Sequence, residues 1–242
     1  MNFIKKIFHC FRCGYSGVAK ALGIPLQSSN NDGRILEDKP IKIPGFYPFR
    51  GFTSLCSLQF LTLLQDFLGS RGLEFLAVVD KGWGWSEDLR LRNRLIIPIK
   101  EKGQVVCYIA RAFKGQEPKE LCPSGEISNR SHFLYNLDAI VGGERVVVVE
   151  GIFDCEALVR QGYNSVAVMG SHLSDIQVGK LLAKKPSMIH LMFDGDDAGR
   201  KGAMESYKKL IRRFSGIVRI STAPEGKDPD ELSIRELRKL LD

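Results

Sequence analysis

Val146-Val147-Val148-Val149-Glu150-Gly151-Ile152-Phe153-Asp154 and, further on, Ile189-His190-Leu191-Met192-Phe193-Asp194-Gly195-Asp196-Asp197-Ala198-Gly199 decide the fold. Each stretch runs apolar and then breaks on acid and glycine. Short apolar or β-branched runs bounded by turn residues predict strands buried on both faces of a parallel sheet. Ligands of such sheets bind beyond the carboxyl ends of the strands, so Glu150 and Asp194 are expected at that edge. Alternate residues of extended backbone share a side, so Asp194 and Asp196 can aim at one point, and Gly195 between them allows close backbone approach. Converging carboxylates repel one another and need a divalent cation. Hard oxygen donors suit Mg²⁺ or Mn²⁺, which bridge to substrate phosphates. Asp228-Pro229-Asp230 adds two acids in a loop built on Gly226 and Pro229.

Outward from these runs the pattern from Arg145 onward alternates strand and helix, which predicts a parallel sheet flanked by helices. Strands are expected near 145–149, 165–168, 188–193 and 217–221, and helices near 154–161, 175–185, 197–214 and 233–241. Ser174 with Gln177, and Ser233 with Glu236, have capping-box spacing. Before Arg145 the signals are mixed. Residues 55–68 carry apolar side chains at helical spacing, residues 83–85 fall in a turn-rich patch, and 95–100 with 105–113 read as a hairpin turning at 102–103. Pro25, Pro40, Pro44 and Pro48 with a polar run between 27 and 33 mark 25–48 as a linker. The expectation is an α/β chain with a smaller α+β basic subdomain, residues 49–143, ahead of the parallel-sheet domain, residues 144–242.

Charge divides along the same line. The chain of 242 residues has a net charge of +7. Residues 1–143 carry 19 Lys/Arg against 13 Asp/Glu, whereas 144–242 carry 16 against 15. A basic half beside an acidic metal site points to nucleic acid, because phosphate backbones bind such surfaces. No apolar run reaches the roughly 18 residues that span a bilayer, and six cysteines without a secretory signal do not form a disulfide framework. A soluble, cytosolic protein with no membrane partner is expected. Cys56, Cys107 and Cys155 are expected as buried small hydrophobes, and His132, His172 and His190 as structural.

Glu150 followed by Asp154, then Asp194-x-Asp196-x-Ala198-Gly199, resembles the Toprim domain of primases, topoisomerases and some nucleases. Arg92-Asn-Arg94-Leu-Ile-Ile-Pro-Ile99, Tyr108-Ile-Ala-Arg111, Pro118-Lys119 and Leu134-Tyr-Asn-Leu137 precede it, an order that resembles the catalytic core of bacterial and phage DNA primases. The resemblance implies a Toprim fold and DNA-directed synthesis of RNA primers from nucleoside triphosphates on single-stranded DNA, with a replicative helicase as a candidate partner. It implies catalytic roles for Glu150, Asp194 and Asp196, and metal binding by these three with Asp228 and Asp230. It also implies contacts to nucleotide or DNA by Arg92, Arg94, Arg111, Lys119, Arg130, Asp154 and Ser171. Asp154 also fits a second reading, stabilisation of a helix N-terminus. The chain departs from the family after Lys119, where Glu120 and Cys122 stand in place of Tyr and Asn.

Phe8-His-Cys10-Phe-Arg-Cys13-Gly resembles the second half of a zinc ribbon, which makes 1–24 a ribbon remnant. Tetrahedral zinc wants four ligands, and only Cys10 and Cys13 have the spacing, so no tightly held zinc is expected. Two rivals use the same residues differently. A Toprim nuclease would activate water with the same acids, and a non-catalytic remnant would keep the scaffold for binding nucleic acid.

Overall fold

The computed structural model describes residues 39–52, 56–125, 127–224 and 227–241, with the backbone of two short strands nearer the N-terminus. Those strands, β1 (Ile7–His9) and β2 (Ser16–Val18), pair antiparallel. Cys10 and Cys13, and with them the zinc half-site expected in 1–24, lie outside the described residues.

A five-stranded antiparallel sheet comes first. It contains β3 (Phe46–Pro48), which leads into a single turn, α1 (Phe49–Phe52), and then α2 (Leu58–Ser70) and α3 (Phe75–Asp80). The sheet continues with β4 (Gly84–Ser86), β5 (Arg94–Glu101), β6 (Gln104–Ala112) and β7 (Glu120–Leu121), in spatial order of the chain. The β5–β6 hairpin forms where its pattern predicts. Two expectations need correction. The region 25–48 is not linker to its end, because Phe46–Pro48 pairs with Gly84–Ser86 and Ile43 is buried. Residues 83–85 are not merely turn, because Trp83 is buried and Trp85 stacks on Tyr47 at 5.0 Å between ring centroids. Large aromatic area outweighs the glycine beside it.

The second sheet is parallel: β8 (Arg145–Val149), β9 (Ser165–Ala167), β10 (Met188–Phe193) and β11 (Ile217–Thr222), in the order β11-β10-β8-β9. The helices α4 (Ile152–Arg160), α5 (Asp175–Ala183), α6 (Asp197–Ile211) and α7 (Ile234–Leu241) alternate with it. Ser57 caps α2 and Ser174 caps α5, each accepting a backbone N–H, which meets an orphan donor of the first turn.

Valine alternation along β8 divides two cores. Val146 and Val148 pack with Val178, Leu181, Ala203 and Leu210 of α5 and α6. Val147 and Val149 pack with Trp83, Ile97, Ile109 and Leu158, a cluster that includes residues of both sheets. The expected boundary at 143/144 therefore separates two sheets but not two cores. Tyr135 ties them further: its backbone exchanges hydrogen bonds with Ala167, and its hydroxyl donates to Glu156 at 2.5 Å. Glu156 is buried and also meets Lys81 Nζ at 3.0 Å. A buried carboxylate needs such partners. Among the described residues no helix is long and apolar enough to cross a membrane.

Candidate active site

The chain runs from β8 out to β9 on one side, then returns to β10 on the other. The gap between the carboxyl ends of β8 and β10 is thus the topological switch point, where open parallel sheets bind ligands. Glu150 leaves β8 there and Asp194 leaves β10. The Asp194 N–H donates to Glu150 Oε1 at 3.3 Å. Burial, and then the charge of Asp194, push the Glu150 carboxyl up to about 7. Burial followed by Asp228 and Asp196 pushes Asp194 up to about 6. Asp228 is raised by burial and Asp230, with Arg71 and Lys119 opposing. These acids, brought from three loops, share one field.

Two glycines make the gathering possible. A Cβ on Gly195 would stand 2.4 Å from the Pro224 carbonyl oxygen, and one on Gly199 2.3 Å from that of Asp194. The first contact seats the chain leading to Asp228 against the β10 turn. The second lets α6 begin directly on the Asp194 backbone. Asp196 caps that helix, accepting the Gly199 N–H at 2.7 Å, and remains exposed.

Asp194 Oδ1 is buried with no hydrogen-bond partner among the described residues. An orphaned hard oxygen beside a carboxyl already strained by its neighbours fits a divalent cation of the Mg²⁺ class. Among the described residues no three His, Cys, Asp or Glu side chains are gathered closely enough to hold a metal ion. Glu150 and Asp194 form the pair at the centre, and Asp196 and Asp228 stand at its rim.

Two further acids have partners within the protein, and Asp154 takes the helix-start role that its position allows. Asp154 is buried, and its oxygens accept the N–H groups of Gly151 and Asp230, each at 3.1 Å. It stitches the Glu150 turn to the Asp228 loop, and burial with Asp230 nearby raises its carboxyl well above the usual range. Asp230 Oδ2 accepts a hydrogen bond from Arg71 at 2.6 Å, and its buried Oδ1 has no hydrogen-bond partner among the described residues. Arg71, at the end of α2, gives no signal in the sequence.

The basic residues fall into three groups. Arg92 and Lys119 are exposed. Arg94 is only 4% exposed and donates to the Pro118 carbonyl at 2.8 Å, so it braces the loop that carries Lys119. Its guanidinium donates to backbone carbonyls here, where the resemblance implies a contact to nucleotide or DNA. Arg111 and Arg130 both reach Glu120, at 2.8 and 3.3 Å. Phe153 lies between Arg71 and Arg111, whose guanidiniums stand 5.6 and 5.5 Å from its ring. Ser171 is exposed, with its hydroxyl 3.2 Å from His172 Nδ1. His190 is buried against Ser221, and Cys56, expected buried, is only partly so.

The Toprim-like family model matches residues 147–233, the segment that carries every one of these acids. A DNA primase of Staphylococcus aureus strain COL is 35% identical over 180 residues, covering 69% of this chain and 30% of the relative. The chain carries a primase-type Toprim core. A solved DnaG catalytic core superposes on this core with TM-score 0.62 at 25% identity, covering 79% of this chain and 74% of that one. A DnaG primase catalytic domain bound to single-stranded DNA has the same fold, with TM-score 0.64 at 24% identity over 77% and 70%. The chain spans about a third of the length of the curated relatives it matches.

Proposed function

We propose that this Toprim core makes short RNA primers on single-stranded DNA. The observation that carries the reading is the Glu150–Asp194 pair at the switch point, its carboxyls pushed up by burial and by one another, with Lys119 and Arg71 opposing the charge of the acid cluster. Glu150 and Asp194 would hold a divalent cation, with Asp196 and Asp228 drawn in from the rim, and the cation would neutralise them and polarise the phosphate oxygens of a nucleoside triphosphate. Glu150, at the carboxyl end of β8 beside Asp194, is suited to take the proton of an attacking 3′-hydroxyl as a general base. Lys119 and Arg111 are suited to hold phosphates, the first as a point charge and the second as a fork. Exposed Arg92 is suited to the template backbone. Asp154 and Asp230 position the loop of Asp228. Similarity to the DNA primases supports extension over the nuclease reading.

Labelled ribonucleotides incubated with single-stranded DNA and Mg²⁺ or Mn²⁺ test the reading. Extension products that vanish in Asp194→Asn are expected. Nicking without extension would establish the nuclease instead.

A further inference from the structure

The parallel sheet has two edges, and the chain treats them differently. Beyond β9 the edge is covered. Ser165, Val166 and Ala167 are buried, the Ala167 backbone exchanges hydrogen bonds with Tyr135, and the Ser165 carbonyl accepts one from Asn136. At the other end β11 pairs with β10 through all six of its residues without a bulge, and no described strand lies on its outer side. A regular inner ladder implies a regular outer one, so β11 offers a row of N–H and C=O groups to a further strand. Such an edge templates pairing unless proline, a bulge or charge blunts it. Ile217-Val-Arg-Ile-Ser-Thr222 has no proline and a single charge.

Side chains along β11 alternate between the two faces of the sheet. Val218 packs against the core that α5 and α6 cover, so Ile220 shares that face. Ile217, Arg219 and Ser221 take the other, where Ser221 meets His190 and the Leu240 carbonyl. One flank of α6 is committed to α5, through Lys209 to the Leu173 carbonyl and Arg213 to that of Asp175. At 3.6 residues per turn, Met204, Tyr207 and Ile211 fall on the opposite flank, the one on the β11 side. Met204 is 46% exposed, Ile211 50%, Ile220 37% and Ile217 61%. Apolar side chains thus stand open on both faces of the same free edge. Charge surrounds them: residues 206–224 hold five Lys or Arg and no Asp or Glu, and Lys208, Arg212 and Arg219 are exposed.

These features select the occupant. A second copy would bring like charges together. A phosphate backbone would answer the cations but leave the isoleucines and the ladder unmet. An extended peptide that alternates apolar and acidic side chains meets all three. Its backbone continues the ladder, its apolar residues lie opposite Ile220, and its carboxylates lie opposite Arg219, as cross-strand pairing favours. We propose that the free edge of β11 is a docking strand for an extended acidic segment of a partner protein. In this mode main-chain bonds supply affinity and alternate side chains supply specificity. The proposal does not depend on the primer-synthesis reading, because this edge lies outside the acid cluster.

The probe is a short fluorescein-labelled peptide alternating valine and glutamate, titrated into the full chain. A peptide with lysine in place of glutamate, and one of equal composition in blocks, are the controls. The acidic alternating peptide is expected to bind, the block peptide to bind more weakly and the lysine peptide not at all. Arg219→Glu should weaken the acidic peptide about fivefold, the scale of one cross-strand charge pair, and should admit the lysine peptide. Hydrogen exchange should show new protection of the β11 amides in the complex, which attraction to a diffuse basic surface would not produce. No binding of the acidic peptide, binding without that protection, or equal binding of the block peptide overturns the proposal. Oligo-dT is titrated in parallel; if it binds, loses affinity in Arg219→Glu, and no peptide binds, the face belongs to nucleic acid instead. A wild-type dimer by light scattering that Ile220→Lys makes monomeric would give the edge to a second copy and likewise overturn the proposal. Should Arg219→Glu not fold, Arg219→Thr keeps a strand-forming residue there and should lose the preference for the acidic peptide over the lysine one.

Discussion

Asp194 is the residue on which the site turns, because one of its oxygens is buried without a partner among the described residues while three other acids bear on it. Asp196→Asn should weaken Mn²⁺ binding at least several-fold while preserving the helix cap, since the amide oxygen still accepts the Gly199 N–H. Unchanged Mn²⁺ titration would remove Asp196 from the metal site. Glu150 gives a pH signature. Its carboxyl rises from 4.5 to about 7 on folding, so the stability it lends is present below the lower value and lost as pH rises through the upper. His190 works in the opposite direction, falling from 6.5 to about 4 through burial and then Arg145 and Arg219; its contribution is lost only as pH falls below 6.5. Above that pH His190 no longer contributes to the slope, and the raised carboxyls of Glu150 and Asp154 remain. Metal-free protein should melt at a lower temperature at about pH 8 than at pH 6.5, and Glu150→Gln should flatten the difference. An equally steep profile in that variant would place the titration elsewhere.

At the scale of elements, α6 starts on the backbone of the strand that precedes it, and Gly199 is the reason. Alanine favours helix over glycine by about 1 kcal/mol, so propensity alone predicts that Gly199→Ala stabilises. The Asp194 carbonyl at 2.3 Å from the added Cβ decides otherwise. Overpacking against backbone costs about 1–3 kcal/mol, so a net loss is expected in denaturant titration, with weaker Mn²⁺ binding because Asp194 must move. A more stable variant would show that α6 can slide. The end of α2 reaches the Asp228 loop through Arg71 and the nearly buried carboxylate of Asp230. Arg71→Ala should cost about 2 kcal/mol, the usual loss for a hydrogen bond to a charged group, and Asp230→Asn in the same chain should restore part of it. Additive losses in the double variant would deny the pairing.

The whole molecule is two sheets around a shared core. Trp83, just ahead of β4, packs beside Val147, Val149 and Leu158 of the second half, and Glu156 of α4 is held by Tyr135 and Lys81. Neither sheet has a core wholly of its own on that side. Unfolding is therefore expected in one transition, with tryptophan fluorescence and far-ultraviolet circular dichroism superimposing. Separate midpoints would mean that the basic half and the Toprim core are independent. Lys81→Met, which strips a partner from a buried carboxylate, should destabilise by about 3 kcal/mol and shift both probes together.

The parallel sheet, its four helices and the edge where Glu150 and Asp194 emerge were legible in the residues, because buried strands and amphipathic helices write their periods into local sequence. So was the β5–β6 hairpin. The strand at 46–48 was hidden by its prolines, and Trp83 by the glycines around it, since those local signals speak for turns and only pairing partners far along the chain overrule them. The same limit applies at the site. Spacing could bring Asp194 and Asp196 to one edge, but not show that Asp154 spends its oxygens on backbone N–H groups, or that Arg71 claims Asp230 from a helix 159 residues away. Glu120 stood out in sequence only as a departure. That it holds two arginines follows from strand register and from how Arg130 is carried back to β7, and such contacts depend on the closure of the whole chain. Local patterns therefore determined the elements and the edge on which chemistry is placed. Which charges meet there was decided by tertiary structure, because ion pairs have no period and form between whatever residues packing brings within a few ångströms.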